Sequence, residues 1–196
     1  GVLHTALEGN ADHAKYAPCS VAELQAKGYQ YWALGHVHEH WIQRGDVTIA
    51  YSGNLQGRHI RELGARGALL VTAEDSEVTE VDRIEVDVLR WHALEVDISA
   101  VSDRRGAIRA AGLGLEKALE ATPSHLPLAV RVVFKGRSAA HSELLADEGQ
   151  LRQEVIAQAV ALDADRVWIE KVRVASERAS CVPGLMTLLC TSHCNA

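Results

Sequence analysis

The chain has 196 residues, of which 47% are hydrophobic and 23% charged, the make-up of a soluble globular protein with one domain or two small ones. Its net charge of -6 excludes an overall field that draws in nucleic acid, so any such partner must be held by a local basic patch or by metal ions. No apolar run approaches the roughly 20 residues that cross a bilayer and no basic-then-apolar leader opens the chain, so a cytoplasmic location is expected.

Residues 1–7 begin with a short apolar run that stops at His4, as a buried strand ends at a sheet edge, and a polar stretch from Glu8 to His13 follows as loop. Ser20-Val21-Ala22-Glu23 has the form of a capping box and Gly28 stands where a helix C-cap glycine would, so the pattern predicts a short helix over 21–27. An aromatic-rich strand over 29–34 then delivers the chain to Gly35-His36-Val37-His38. Residues 41–43 and 47–51 flank Arg44-Gly45-Asp46 as a hairpin, and residues 67–72 and 78–86 bracket the polar turn Glu74-Asp75-Ser76-Glu77 as a second. One more strand is expected over 90–98.

The pattern then changes period. Residues 104–121 carry Ala and Leu at helical spacing, weakened at Gly112 and Gly114 and ended before Pro123. A strand over 128–134, a helix over 144–162 and a strand over 166–174 make a β-α-β unit after that helix. The expected organisation is a β-rich region 1–99, an α/β region 100–175 and an irregular tail 176–196. Three of the four cysteines, Cys181, Cys190 and Cys194, fall in the tail, which is not a disulfide framework. Cys190, His193 and Cys194 are spaced closely enough to suggest a metal site but lack a second ligand pair at zinc-finger spacing.

The segment Gly35-His36-Val37-His38 carries most of the chemistry. Two histidines at i and i+2 leaving a strand end can turn both imidazoles toward one point, and neutral imidazole nitrogen binds divalent transition metals well. The glycine before them permits backbone geometry that a side chain would hinder. His4, at the end of another predicted strand, is a possible third ligand, and His40 extends the alternation. The alternative for any such pair is a surface or hydrogen-bonded role.

Gly1-Val2-Leu3-His4, then Tyr31 to His38, then Tyr51-Ser52-Gly53-Asn54-Leu55-Gln56-Gly57-Arg58, occur in an order and at intervals that resemble the calcineurin-like metallophosphoesterases. Arg61-Glu62-Leu63-Gly64 with Gly67 is similar to a stretch of the SbcD-type DNA repair exonuclease branch. The resemblance implies an α/β (α+β) fold, with the C-terminal β-rich half of a phosphoesterase sandwich followed by a small capping domain of a helix and a β-α-β unit. It implies that His4 and His36 bind one metal ion and His38 the other, that Asn54, Gln56 and Arg58 lie near the phosphate, and that the cofactors are two divalent ions, Mn²⁺ in the nuclease branch. DNA, an SMC-like ATPase subunit and a second copy of the chain are the partners expected on the same ground.

The sequence departs from that family's pattern. Its Asp-x-His, Gly-Asp-x-x-Asp and Gly-Asn-His-Asp elements are expected before the position of His4 and are not found; Gly9-Asn10-Ala11-Asp12-His13 and Gly45-Asp46 read as loop and turn. Three histidines without a bridging carboxylate hold two divalent ions poorly, because nothing offsets the repulsion between the ions. The chain alone is therefore expected to be a poor nuclease, a fragment whose other half was truncated or comes from another chain. Two rivals remain: a noncatalytic module that docks DNA or an ATPase, for which Arg104, Arg105 and Arg109 offer a basic face, and a metal-binding cupin, which lacks its glutamate after His-x-His and its later histidine.

Overall fold

The computed structural model describes residues 1–7 and 17–179. Gly9 to His13 and the tail cysteines with His193, all singled out above, lie outside the described residues. The molecule is mixed α/β, as the sequence implies.

Alternating apolar residues set the first sheet. In β2 (Tyr31–Gly35) Trp32 and Leu34 are buried, and in β4 (Thr48–Tyr51) Ile49, Ala50 and Tyr51 are. These strands and β1 (Val2–His4) run parallel in the order β1-β2-β4, and β3 (Trp41–Gln43) adds antiparallel to β4 with Trp41 opposite Tyr51. The expected hairpin is therefore present, but it closes a parallel sheet and not the antiparallel barrel that a cupin requires. The capping box is complete: Glu23 N–H donates to Ser20 Oγ at 3.2 Å, and Ser20 N–H donates to Glu23 Oε2 at 2.8 Å. It starts α1 (Val21–Gln25), whose Leu24 joins Trp32, Leu34, Ile49 and Tyr51 in one apolar cluster.

The second hairpin pairs β5 (Gly67–Glu74) with β6 (Glu77–Glu85). Asp75 and Ser76 both take positive φ, 49° and 72°, which is what a two-residue turn matching strand twist demands.

The second sheet is parallel, in the order β10-β8-β7, from β7 (Arg90–Asp97), β8 (Leu128–Lys135) and β10 (Val167–Val174). Strand β7, expected to close the β-rich region, thus belongs to the same sheet as β8 and β10. The helix α2 (Arg104–Glu120) is then the crossover from β7 to β8, and the arrangement is β-α-β-α-β. Residues Ala107, Ala111, Leu115 and Ala118 form the buried stripe of α2, and they pack with Val130, Val132 and Phe134 of β8, each at 0% exposure. Side chains buried to this degree contribute about 1.5–3 kcal/mol each, and this cluster is the larger of the two cores.

One helix is expected over 144–162, but two form, α3 (His141–Ala146) and α4 (Glu148–Asp163). The break is Asp147, at φ -150° and ψ 86°, whose carboxylate accepts the Gln150 N–H at 2.8 Å and so caps α4. Two strands of two residues, β9 (Arg137–Ser138) and β11 (Glu177–Arg178), pair in parallel and were not expected. Among the described residues no helix is long and apolar enough to cross a membrane.

Candidate metal centre

Parallel pairing brings the carboxyl ends of β1, β2 and β4 to one edge. His4 is in register with Gly35, and Leu34 with Tyr51, so the segments 36–40 and 52–58 leave the sheet side by side. Such an edge is where open α/β sheets bind ligands.

The His4 and His36 rings meet there edge to face, centroids 5.2 Å apart. A Cβ on Gly35 would come within 3.1 Å of His4 Nδ1, so the glycine matters for closeness to the His4 ring. The unusual backbone is one residue later: His36 itself has φ 104°. A non-glycine residue held in that region costs about 1–3 kcal/mol, and such strain clusters at functional sites.

His38 is fixed differently. Its Nδ1 lies 2.7 Å from Glu62 Oε1, and Glu62 is only 5% exposed. A carboxylate at that distance accepts a hydrogen bond from Nδ1–H, which leaves Nε2 as the nitrogen with a free lone pair, the tautomer a metal ligand needs. The Arg58 Nη2 contact to the same Nδ1 at 3.3 Å is then proximity, since Nδ1 already donates. Burial alone would raise the Glu62 pKa. The Arg58 backbone N–H at 2.7 Å, His38, and the nearby His59 and Arg58 overcome it and hold the carboxyl at about 2. Glu62 is thus ionised at any physiological pH.

Behind these side chains lies Arg66, 3% exposed. It donates to the carbonyls of His38 (2.7 Å) and Leu63 (3.0 Å), to Asn54 Oδ1 (3.2 Å) and to Glu39 Oε1 (2.8 Å). Gly53, at φ 80°, lets the 52–58 segment pass so closely that a Cβ would sit 2.9 Å from the His38 carbonyl.

The remaining expected residues divide. Asn54 donates to the Gln56 carbonyl at 2.9 Å and receives Arg66. Gln56 donates to the Gly57 and Leu89 carbonyls and accepts the Val88 N–H, tying the loop to the segment before β7. Both amides are spent on loop shape in this structure. The side chain of Arg58 is 65% exposed beside His38, with Nη2 3.7 Å from Glu62 Oε1. His40 donates through Nδ1 to the Tyr51 carbonyl at 3.2 Å, and Glu39 serves Arg66.

Glu62 and Arg66 are the residues that sequence reasoning left without a role. The Arg-Glu-x-Gly resemblance pointed at Glu62, but nothing in the spacing says that it meets a histidine 24 positions earlier.

The donor set suits divalent transition metals: two imidazoles in contact and a third with its tautomer fixed by a carboxylate. Among the described residues no group of three or more His, Cys, Asp or Glu side chains is placed to hold one metal ion. His4, His36 and His38 therefore do not by themselves form such a group.

Comparison with known proteins points to the same class. Residues 91–177 match the model of the metallophosphoesterase YhaO middle domain. The chain is also 31% identical over 176 residues, 86% of its length, to the uncharacterized metallophosphoesterase YhaO of Bacillus subtilis (strain 168). It spans 41% of the length of that relative. Both similarities are to metallophosphoesterases.

Proposed function

We propose that the chain supplies the histidine side of a two-metal phosphodiesterase centre acting on DNA, in the manner of a repair exonuclease. The observation that carries the reading is the edge itself, where His4, strained His36 and carboxylate-keyed His38 leave adjacent parallel strands. His4 and His36 would hold one ion and His38 the other, with Mn²⁺ the expected metal. Two divalent ions, when bound, neutralise charge on the phosphodiester and lower the pKa of a water. The chain's own residues do the positioning: Glu62 keeps His38 in its ligand tautomer, Arg66 locks the backbone of that segment, and Arg58 offers its guanidinium to a phosphate oxygen. The carboxylates that offset repulsion between the ions would come from sequence outside this chain, so the chain alone should cleave poorly. A cytoplasmic location and an SMC-like ATPase partner go with this reading.

The test is cleavage of end-labelled linear duplex DNA and of bis(p-nitrophenyl) phosphate by the protein as encoded by its own gene, with Mn²⁺. The expected result is stepwise loss of nucleotides from the ends, abolished in His38→Ala and weakened in Arg58→Ala with the circular dichroism unchanged. Absence of hydrolysis on both substrates, or full activity in His38→Ala, overturns it.

A further inference from the structure

Helices α2, α3 and α4 cover one face of the second sheet, where Val130, Val132 and Phe134 are buried. The register fixes what stands on the other face. Trp91, Ala129 and Trp168 form one row across β7, β8 and β10; Ala93, Arg131 and Lys171 form the next; Glu95, Val133 and Arg173 the third. Trp168 is 51% exposed, so much of its indole is open to a ligand. Arg131 is held by Glu170 through two contacts of 2.7 and 2.6 Å, and Lys135 pairs with Glu95. Lys171 and Arg173 are exposed and make no salt bridge among the described residues.

This face is joined to the candidate metal centre. Trp91 Nε1 donates to the Gly57 carbonyl at 2.8 Å, and the Trp91 carbonyl accepts the Gly64 N–H at 3.1 Å. The 57–64 segment gripped in this way carries both Arg58 and Glu62. Trp91 thus ties the row that ends in Trp168 to the loop that carries Arg58.

We propose that the helix-free face of the β7-β8-β10 sheet is a platform for a single strand of nucleic acid, which stacks a base on Trp168 and sets its phosphates against Lys171 and Arg173. Every base has a π-face, so an exposed indole flanked by cations selects unpaired nucleotides without reading sequence. Arg58 continues the cationic line toward the histidines, so the platform would hold the strand that the centre cuts. The choice of nucleic acid as occupant rests on the DNA reading above, but binding does not require hydrolysis.

The experiment is fluorescence anisotropy of a labelled oligodeoxythymidine of about 15 nucleotides with the full chain, in EDTA and at about 50 mM salt. The expected result is binding that Trp168→Ala weakens by about tenfold or more, that Trp168→Phe largely restores, and that Lys171→Glu with Arg173→Glu weakens with a shallower salt dependence. Arg105→Glu with Arg109→Glu, on the helical side, should leave it unchanged. No binding at this salt, equal binding by Trp168→Ala, or tighter binding of the matching duplex overturns the platform. Because metal is absent, Trp168-dependent binding by a protein that, as encoded by its own gene and given Mn²⁺, hydrolyses neither test substrate would sink the phosphodiesterase reading and leave the platform standing.

Discussion

Arg66 is the side chain on which the candidate centre most depends, and its replacement makes a demanding test. It is buried, and its two terminal nitrogens serve four acceptors, the carbonyls of His38 and Leu63, Asn54 Oδ1 and Glu39 Oε1. The Glu39 partner is 67% exposed, so that ion pair contributes at most about 1 kcal/mol. Arg66→Ala would leave the three other acceptors without their donor at about 1–3 kcal/mol each, with partial recovery by water entering the space. A loss of about 3–5 kcal/mol is expected, a large share of the stability of a small domain. Arg66→Lys should recover little of it, because one ammonium cannot span acceptors that a planar fork reaches on two nitrogens. Urea unfolding followed by tryptophan fluorescence measures both, and nuclear magnetic resonance shifts of the His38 and Asn54 amides report whether the loops separate. A lysine variant as stable as the parent, or an alanine variant losing less than about 1 kcal/mol, would refute the assignment of Arg66 as the tie between these loops.

Three further outcomes follow from particular contacts. His36→Gly should be more stable than His36→Ala by about 1–2 kcal/mol in thermal melts, since only glycine takes φ 104° without strain, while both lose metal affinity by calorimetry. In α2, Gly112→Ala should add about 0.5–1 kcal/mol of stability because its new Cβ meets only the mobile end of Gln158 at 2.7 Å, whereas Gly114→Ala should gain nothing because both methyls and Cγ of Leu94 stand within 3.4 Å; equal melting temperatures for the two would contradict the packing. The Arg131 side-chain hydrogen bond holds the Glu170 carboxyl below the usual glutamate range, so the pair stabilises the fold above that range and the contribution vanishes as pH falls through the lowered value. Glu170→Gln should therefore cost about 0.2–1 kcal/mol at neutral pH and progressively less as the pH falls below the usual glutamate range, as read from unfolding midpoints across that range.

The sequence made legible what depends on neighbours. The Ser20 to Glu23 capping box, both hairpins and the stripe of α2 each follow from residues within a few positions, and the structure has them. The break at Asp147 was local too, but an aspartate inside an apolar period reads as a surface residue until its carboxylate is seen to take the Gln150 N–H. Strand β7 is legible as a strand but its sheet is not, because parallel pairing is settled by partners, here β8 across a 17-residue helix, and not by the strand itself. At the candidate centre the histidines stood out because few residue types bind metal and they fall at strand ends. Glu62 and Arg66 did not, since a buried carboxylate and a buried guanidinium look like ordinary surface charges until burial and partners are known. Asn54 and Gln56 show the opposite case: amides near a phosphate site and amides that brace a loop are the same letters.

The double grip of Trp91 on residues 57 and 64 bears on how such a protein could diversify. A module border drawn just before β7 would cut through a joint, because the first residue after Arg90 fastens the loop bearing Glu62. Recombination that exchanged the C-terminal sheet for that of a distant relative would have to bring a matching indole with it, or lose the alignment of His38. The two halves are thus coupled through one side chain, and chimeras spliced at that border should fold yet coordinate metal poorly.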